Sequence, residues 1–116
     1  MKVFIIGAVR GVSDSYRRKL EEYAYTLEGG GDEVYLPHRD TKQDGRGIDI
    51  CRDNMVAIEQ ADEVHIFYTK ESTGTHFDMG VAFALKKDIV VIENVEYGEG
   101  KSYPRMLVEW ETLGIK

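Results

Sequence analysis

A continuous apolar run near the start of the chain, residues 3–6, constrains the fold more than any other feature of the sequence. The run reads Val-Phe-Ile-Ile and ends at Gly7, which is typical of a strand buried on both faces of a parallel sheet. Residues 33–36, 64–67 and 89–92 are three further strand candidates. Segments of helical period separate the candidates, and this alternation predicts βαβ units.

Four segments of helical period are readable. The first begins at N-cap candidates in residues 13–15 and ends at the glycines 29–31. The second ends near residue 61, the third lies between strands three and four, and the last covers about residues 103–113. Right-handed crossovers then predict an α/β protein with a doubly wound, flavodoxin-like parallel sheet of four to five strands and helices on both faces. Strand two is expected outside strand one, with strand three on its other side.

The second and third helices carry apolar residues at helical spacing. These are Ile48, Cys51, Met55 and Ile58 on the second helix, and Phe77, Val81, Ala84 and Leu85 on the third. On the second helix the apolar face is expected to turn to the core, so Cys51 is interpreted as a small buried hydrophobe. Asn54 lies nearer the apolar edge than Asp53, which points almost opposite the core.

Composition limits the classes of function. The chain has 116 residues, 42% of them hydrophobic, so we expect one domain over residues 1–116. A formal net charge of -6 argues against binding duplex nucleic acid, and no apolar run is long enough for a membrane span. The single cysteine excludes an internal disulfide and suits a reducing compartment, so the cytoplasm is the expected location. The three histidines are dispersed, and no metal site is expected.

Two loops are the candidates for a ligand site. In doubly wound sheets, ligands bind beyond the carboxyl ends of the strands where the winding reverses, which here means residues 7–13 and 70–75. The first loop offers backbone N–H groups, a helix N-terminus and Arg10, which suit a phosphate or sugar oxygen, although a plain tight turn fits equally well. In the second loop, Ser72 and the backbone of Gly74 could hold a ligand.

Asp78 has two interpretations. With Thr75 three residues before it, the carboxylate fits a capping box and would bond the N-cap amide. In the first turn of a helix, the positive helix end would also keep this carboxylate ionised, as a nucleophile or an electrostatic stabiliser requires. Capping and catalysis compete for the same oxygen atoms, so the pattern leaves both open.

Four segments together resemble a known family. They are Gly-Ala-Val-Arg-Gly at residues 7–11, Leu-Pro-His-Arg-Asp at 36–40, Ala-Asp at 61–62, and Ser-Thr-Gly-Thr-His-Phe-Asp-Met-Gly-Val-Ala at 72–82. Over about residues 2–92 the chain resembles the nucleoside 2-deoxyribosyltransferases and their relatives, the 2'-deoxynucleoside 5'-phosphate N-hydrolases. The resemblance implies a nucleoside or nucleotide ligand, cleavage of the N-glycosidic bond through a carboxylate nucleophile, no metal or cofactor, and a homodimer or higher oligomer whose neighbouring chain completes each site.

The resemblance also implies roles for particular residues. The nucleophilic glutamate of the family falls on Asp78, the serine that holds the 5' group falls on Ser72, and the arginine of the phosphate-side loop falls on Arg10. An aspartate that supports base and sugar handling falls on Asn54. The remaining expected substrate-binding positions are Gly7, Gly11, Asp40, Gly74 and Met79.

Asp78 and Asn54 depart from the family pattern, and this leaves the function open. Aspartate is shorter than glutamate by about 1.3 Å, which matters when reacting atoms must approach within roughly 3 to 3.5 Å. Asn54 cannot donate a proton to a departing base, so His76, His38 or Asp40 would have to take that role. The alternative is a catalytically silent nucleotide-binding or sensing module, and a third possibility is a flavodoxin-like electron carrier, which would need a flavin.

The other chemically notable residues have structural interpretations. Residues 38–40, His-Arg-Asp, favour a local salt bridge over a contact with ligand. His65 lies inside strand three and is interpreted as a packed histidine. Tyr103 and Trp110 on the last helix are expected to pack against the core rather than stack on a base. Residues 97–103, especially Ser102, are the candidate segment to reach a neighbouring subunit.

Overall fold

The computed structural model describes residues 1–93 and 100–115. They contain one parallel sheet of four strands in the order β2-β1-β3-β4. The strands are β1 (Lys2–Ile6), β2 (Glu33–Tyr35), β3 (Glu63–Ile66) and β4 (Asp88–Val91). This order confirms the predicted doubly wound sheet with strand two outside strand one. Within the described residues the tail at Ile115 does not add a fifth strand, because its side chain packs against the core instead.

Five helices accompany the sheet. They are α1 (Asp14–Gly29), α2 (Pro37–Asp40), α3 (Gly47–Gln60), α4 (Thr73–Ala84) and α5 (Tyr103–Leu113). Four of them match predicted helices, and α2 replaces what the sequence indicated as a loop. Pro37 ends the preceding strand but is also suited to the first position of a helix, since it has no N–H to leave unbonded there.

Helix α4 begins earlier than the sequence pattern predicted. Ser72 is its N-cap, with Oγ accepting a hydrogen bond from the backbone N–H of Thr75 at 3.1 Å. The proposed capping box of Thr75 and Asp78 is therefore wrong, because Thr75 already lies inside the helix. Asp78 lies six residues after the N-cap, in the second turn rather than the first. The N-cap predicted for α1 is confirmed at Ser13, which accepts from the N–H of Tyr16.

The sheet has a core on each face, as predicted. Val3 and Ile5 of β1 pack with α1, whereas Phe4 and Ile6 belong to the core that includes buried side chains of α3, α4 and α5. The alternation follows from the strand period of two. Trp110 of α5 packs against the core as predicted, since it is 4% exposed and its indole N–H donates to the carbonyl of Lys87. The same prediction for Tyr103 is wrong, because this side chain at the start of α5 is 58% exposed.

The inward faces of α3 and α4 differ from those marked by the apolar spacing. Ile48 and Met55 on α3 are 61% and 44% exposed, while Asn54 is buried beside Ile58. On α4 the buried residues are Thr75, Asp78, Met79 and Ala82, and Phe77 is 51% exposed. Apolar residues at helical spacing therefore occur on the outer side of both helices, and the inner side carries polar groups at the site described below.

Candidate active site

A cleft of about 360 Å³ opens at the carboxyl ends of the strands. Its walls come from the loop after β1, from the segment around α2, from α3 and from the N-terminal half of α4. The predicted site residues that line it are Gly7, Arg10, Asn54, Ser72, Gly74 and Asp78. The structure thus brings the two predicted loops together around Asp78 and Asn54, as expected for a switch point between strands.

Asp78 is the titratable group most affected by its position in this cleft. The residue is 7% exposed, and burial raises the pKa of its carboxyl from 3.8 to about 7, while the side-chain amide of Asn54 acts in the opposite direction. The sequence pattern predicted a carboxylate held ionised by the helix end. That prediction is wrong, because the second-turn position removes Asp78 from the helix terminus and desolvation dominates. Near neutral pH the group is divided between its two protonation states.

Asn54 is held in place by a chain of hydroxyl groups. Its Oδ1 accepts a hydrogen bond of 2.7 Å from Oγ1 of Thr41, and this Oγ1 lies 2.5 Å from the hydroxyl of Tyr35. Both Thr41 and Asn54 are buried. Asp53, the neighbouring acid on α3, is exposed, as the helical face predicted. Asn54 is therefore held in a fixed position on the cleft that Asp78 also lines.

The rim of the cleft carries groups suited to an anion. Arg10 is exposed and makes no ion pair with any residue in the described part of the chain. The N-terminus of α4, with Ser72 and Gly74, lies on the same cleft. Unbonded N–H groups at a helix N-terminus, next to a guanidinium, form a favourable environment for phosphate.

The loop after β1 is shaped by packing as well as by any ligand. A Cβ on Gly7 would lie 2.9 Å from Cδ1 of Leu20, so the loop passes too close to α1 for a side chain there. Gly11 has φ of 70°, which favours glycine, but it does not line the cleft. The hydroxyl of Tyr16 on α1 accepts a hydrogen bond of 3.1 Å from the N–H of Ala8, which holds the loop against α1.

Asp40 and Met79 are not brought to the cleft either. The carboxylate of Asp40 accepts from the N–H of Leu36 and from the guanidinium of Arg39, each at 2.9 Å. Arg39 also pairs with Glu28, so the local salt bridge favoured from the sequence is present. Met79 is 2% exposed and belongs to the core between the sheet and α4.

The two histidines considered as proton donors do not line the cleft. The side chain of His38 is 8% exposed and lies 3.4 Å from a carboxylate oxygen of Glu21, and burial lowers the pKa of its imidazole. The Nδ1–H of His76 donates to the carbonyl of Ser72 at 2.7 Å, and its Nε2 lies 3.0 Å from the hydroxyl of Tyr68. His65, also buried, is packed as predicted and hydrogen-bonds to Tyr23.

Sequence reasoning missed several residues that line the cleft. They are Gln43, Cys51, Glu71 and Phe77. Cys51 was interpreted as a buried hydrophobe, but it is partly exposed and lies on this cleft. Its spacing of three residues from Asn54 was the available signal, since such neighbours share a helix face. Nothing in the sequence signalled the role of Thr41, because its contact with Asn54 depends on the path of the chain around α2.

No group of three or more His, Cys, Asp or Glu side chains that could hold a metal ion occurs in the described ranges. Among the same residues, no helix has the length and apolar character needed to cross a membrane.

This sheet order, with a cleft at the switch point, defines a doubly wound, flavodoxin-like α/β fold. A CMP N-glycosidase from Clostridium botulinum is similar, with a TM-score of 0.62, 22% identity, and coverage of 77% of this chain and 68% of that one. A 2-deoxyribosyltransferase from Bacillus psychrosaccharolyticus has a TM-score of 0.63 and 15% identity over 77% and 69% of the two chains. A 2-desoxiribosyltransferase from Leishmania mexicana has a TM-score of 0.60 and 21% identity, with coverage of 77% of this chain and 61% of that one. The resemblance expected from the sequence is confirmed as a likeness of fold.

The chain belongs to the DUF4406 family, described as a domain of unknown function, whose model matches residues 1–91. None of the curated proteins matches the chain.

Proposed function

We propose that this protein cleaves the N-glycosidic bond of a nucleoside or nucleotide, by hydrolysis or by deoxyribosyl transfer, with the carboxylate of Asp78 as nucleophile. The observation that carries the proposal is the buried Asp78 carboxyl in a cleft whose rim holds the exposed Arg10 and the N-terminus of α4. The fold neighbours include an N-glycosidase and two deoxyribosyltransferases, which supports glycosidic bond chemistry in general.

In the proposed reaction, an ionised Asp78 attacks the anomeric carbon and forms a glycosyl ester. The carbon–nitrogen bond breaks, its electron pair leaves with the base, and the base takes up a proton. Asn54 has no acidic proton to give, so this proton comes from water or from Glu71, the other carboxyl among the described residues that line the cleft. Water or a second base then displaces Asp78 from the sugar.

The rim groups support a nucleotide as ligand. Arg10 and the N-terminus of α4 would neutralise a 5' phosphate, with Ser72 and Gly74 at the helix end. Because the whole chain carries a formal charge of -6, such an anion would be attracted by this local site rather than by the overall field.

The test is release of free base from a panel of deoxynucleosides, ribonucleosides and their 5'-monophosphates. Asp78→Asn and Asp78→Ala should lower the rate by at least about a hundredfold, while binding of the monophosphate survives. Asp53→Asn is the matched control, since it removes an exposed carboxylate one residue from Asn54 on α3. Undiminished cleavage by folded Asp78→Ala would overturn the assignment.

A silent nucleotide-binding module is the second candidate. Two observations favour it: Asn54 stands where the related enzymes are expected to have an acid, and burial leaves Asp78 only partly ionised at neutral pH. Binding of monophosphates without release of base from any member of the panel would establish this candidate in place of the enzyme.

We further infer a cytoplasmic homodimer. The single cysteine, Cys51, suits a reducing compartment. Large apolar side chains are exposed on α3 and α4, which pack against each other, and at the C-cap of α4. They are Ile48, Met55, Phe77 and Phe83 on the helices and Leu85 at the cap. Such exposure on neighbouring helices is typical of an interface, and two-fold closure is the commonest arrangement. Of the segment expected to cross between subunits, residues 97–99 lie outside the described residues, and Ser102 is the N-cap of α5.

A further inference from the structure

We propose that Tyr16 of α1 is a positioning residue whose hydroxyl connects the loop after β1 to the segment before α4, residues 67–72, and so sets the spacing between Arg10 and the N-terminus of α4. The inference deepens the proposed function and rests on it for the phosphate that these two elements would hold. Tyr16 does not itself line the cleft, so it would act through the loops that do.

The hydroxyl of Tyr16 holds the loop after β1 through a backbone group. Its oxygen accepts a hydrogen bond of 3.1 Å from the N–H of Ala8, a residue that is 4% exposed. The loop also passes close to this hydroxyl at Gly7, where a Cβ would lie 3.4 Å from the oxygen. A buried N–H needs a partner, so loss of the hydroxyl would make the loop move or leave the N–H unbonded. Arg10 follows Ala8 closely in the chain and would move with the loop.

The same hydroxyl reaches the segment before α4. It lies 3.3 Å from Oγ1 of Thr69, and one of these two hydroxyl groups donates to the other. The carbonyl of Thr69 accepts a hydrogen bond of 3.2 Å from the N–H of Ser72, the N-cap of α4. Oγ of Ser72 in turn accepts from the N–H of Thr75 at 3.1 Å. A continuous series of hydrogen bonds therefore leads from Tyr16 to the first turn of α4.

The ring of Tyr16 has a fixed position on α1. The backbone N–H of Tyr16 donates to the N-cap residue Ser13, so Tyr16 lies in the first turn of this helix. Its ring packs against the core on the α1 face of the sheet, and Nζ of Lys19 lies 5.1 Å from the ring centroid. A packed aromatic ring holds its hydroxyl in a defined place at a low cost in conformational entropy. Helix α1 is thus the rigid element against which both loops are positioned.

The spacing of the two loops matters for an anion held between them. A guanidinium and the N–H groups of a helix end bind phosphate well when their donors converge on its oxygens. The backbone pairing between β1 and β3 extends to a hydrogen bond of 2.8 Å from the N–H of Phe67 to the carbonyl of Ile6. Arg10 and the N-terminus of α4 lie beyond this bond, where the side chain of Tyr16 connects the two loops.

The first part of the experiment measures the loops in the free protein by NMR. In Tyr16→Phe, hydrogen exchange at the Ala8 amide should become at least about tenfold faster, and the amide resonance of Ser72 should shift. Tyr23→Phe is the matched control. Tyr23 lies about two turns further along α1 and packs against the same core, but its hydroxyl bonds His65 instead of a loop. This variant should leave both amides unchanged.

Thr69 separates the two contacts of the Tyr16 hydroxyl. Thr69→Ala removes only the second contact, so the Ser72 resonance should shift while Ala8 stays protected. Thr69→Ser keeps the hydroxyl and should behave as wild type. These variants keep the proposal testable if Tyr16→Phe does not fold. Unchanged exchange at Ala8 in folded Tyr16→Phe, or a Ser72 resonance in Thr69→Ala that matches Thr69→Ser, would overturn the proposal.

The second part measures binding of inorganic phosphate and of the common 2'-deoxynucleoside 5'-monophosphates. Tyr16→Phe should weaken binding of each anion that the wild type binds at least about threefold, the size expected for one lost hydrogen bond. Binding of the matching nucleosides should not change, and neither should any affinity in Tyr23→Phe. In the Arg10→Ala background the loss caused by Tyr16→Phe should be smaller, because both residues act on the same phosphate.

The two parts distinguish failure of this inference from failure of the proposed function. Wild-type affinity for the monophosphates in folded Tyr16→Phe would overturn the inference and leave the proposed function standing. A wild type that binds none of these anions would refute a nucleotide as the ligand. The NMR measurements would then still decide whether Tyr16 positions the two loops, since they need neither ligand nor turnover.

Discussion

Replacing Asp78 by asparagine should stabilise the protein in a pH-dependent way. Burial raises the pKa of this carboxyl from 3.8 to about 7, so folding disfavours its ionised form. The stability that wild-type Asp78 contributes is fully present below pH 3.8, where the group is protonated in both states, and is lost as pH rises through about 7. Asparagine has nearly the same shape and no charge, so the Asp78→Asn variant does not lose stability in this way as the pH rises.

The size of the effect follows from linkage between protonation and folding. A pKa raised from 3.8 to about 7 corresponds to about 4 kcal/mol of lost stability once the pH is above both values. The protein is best studied above its pI near 5.0, to limit precipitation. Between pH 5.5 and pH 8 the advantage of Asp78→Asn should grow by about 2 kcal/mol, which is about 8 °C in Tm for a domain of this size.

The assay is urea unfolding of wild type and variant at several pH values, with the difference in unfolding free energy as the readout. Any part of the difference in unfolding free energy between wild type and variant that does not depend on pH cancels when measurements at two pH values are compared. Asp53→Asn is the matched control and should show no comparable growth, because its carboxylate is exposed. A difference for Asp78→Asn that stays flat from pH 5.5 to pH 8 would refute the argument that burial governs this carboxyl.

If the protein is an enzyme, kcat/KM should rise with pH and level off above about pH 7, because the nucleophile must be ionised; a rate that falls over this range would contradict Asp78 as nucleophile. Arg10→Ala should weaken binding of a nucleoside 5'-monophosphate at least about tenfold and leave binding of the matching nucleoside unchanged, as measured by calorimetry. Equal losses of affinity for both ligands would contradict a contact between Arg10 and the phosphate. Met55→Asp should dissociate the proposed dimer in sedimentation experiments, whereas Tyr25→Asp on α1 should not. A wild-type protein that sediments as a monomer at tens of micromolar would refute the dimer.

Much of the fold was determined by the sequence itself, because its signals are local. Short apolar runs mark strands buried on both faces, and their alternation with segments of helical period predicts the parallel sheet that the structure shows. Ser13 and the glycines after residue 28 mark the ends of α1 for similarly local reasons. The two loops expected at the switch point located the cleft, and the face of α3 distinguished Asn54 from Asp53.

Only the tertiary structure decided the chemistry of the site. The sequence pattern placed the N-cap at Thr75, whereas in the structure it is Ser72, so Asp78 lies one turn away from the helix end. The protonation of Asp78 depends on how much water the surrounding elements exclude, and no residue type or spacing reports that quantity. The contact of Thr41 with Asn54 joins groups 13 residues apart around α2. Desolvation and the direction of a hydrogen bond are properties of assembled neighbours, and for that reason they entered only with the fold.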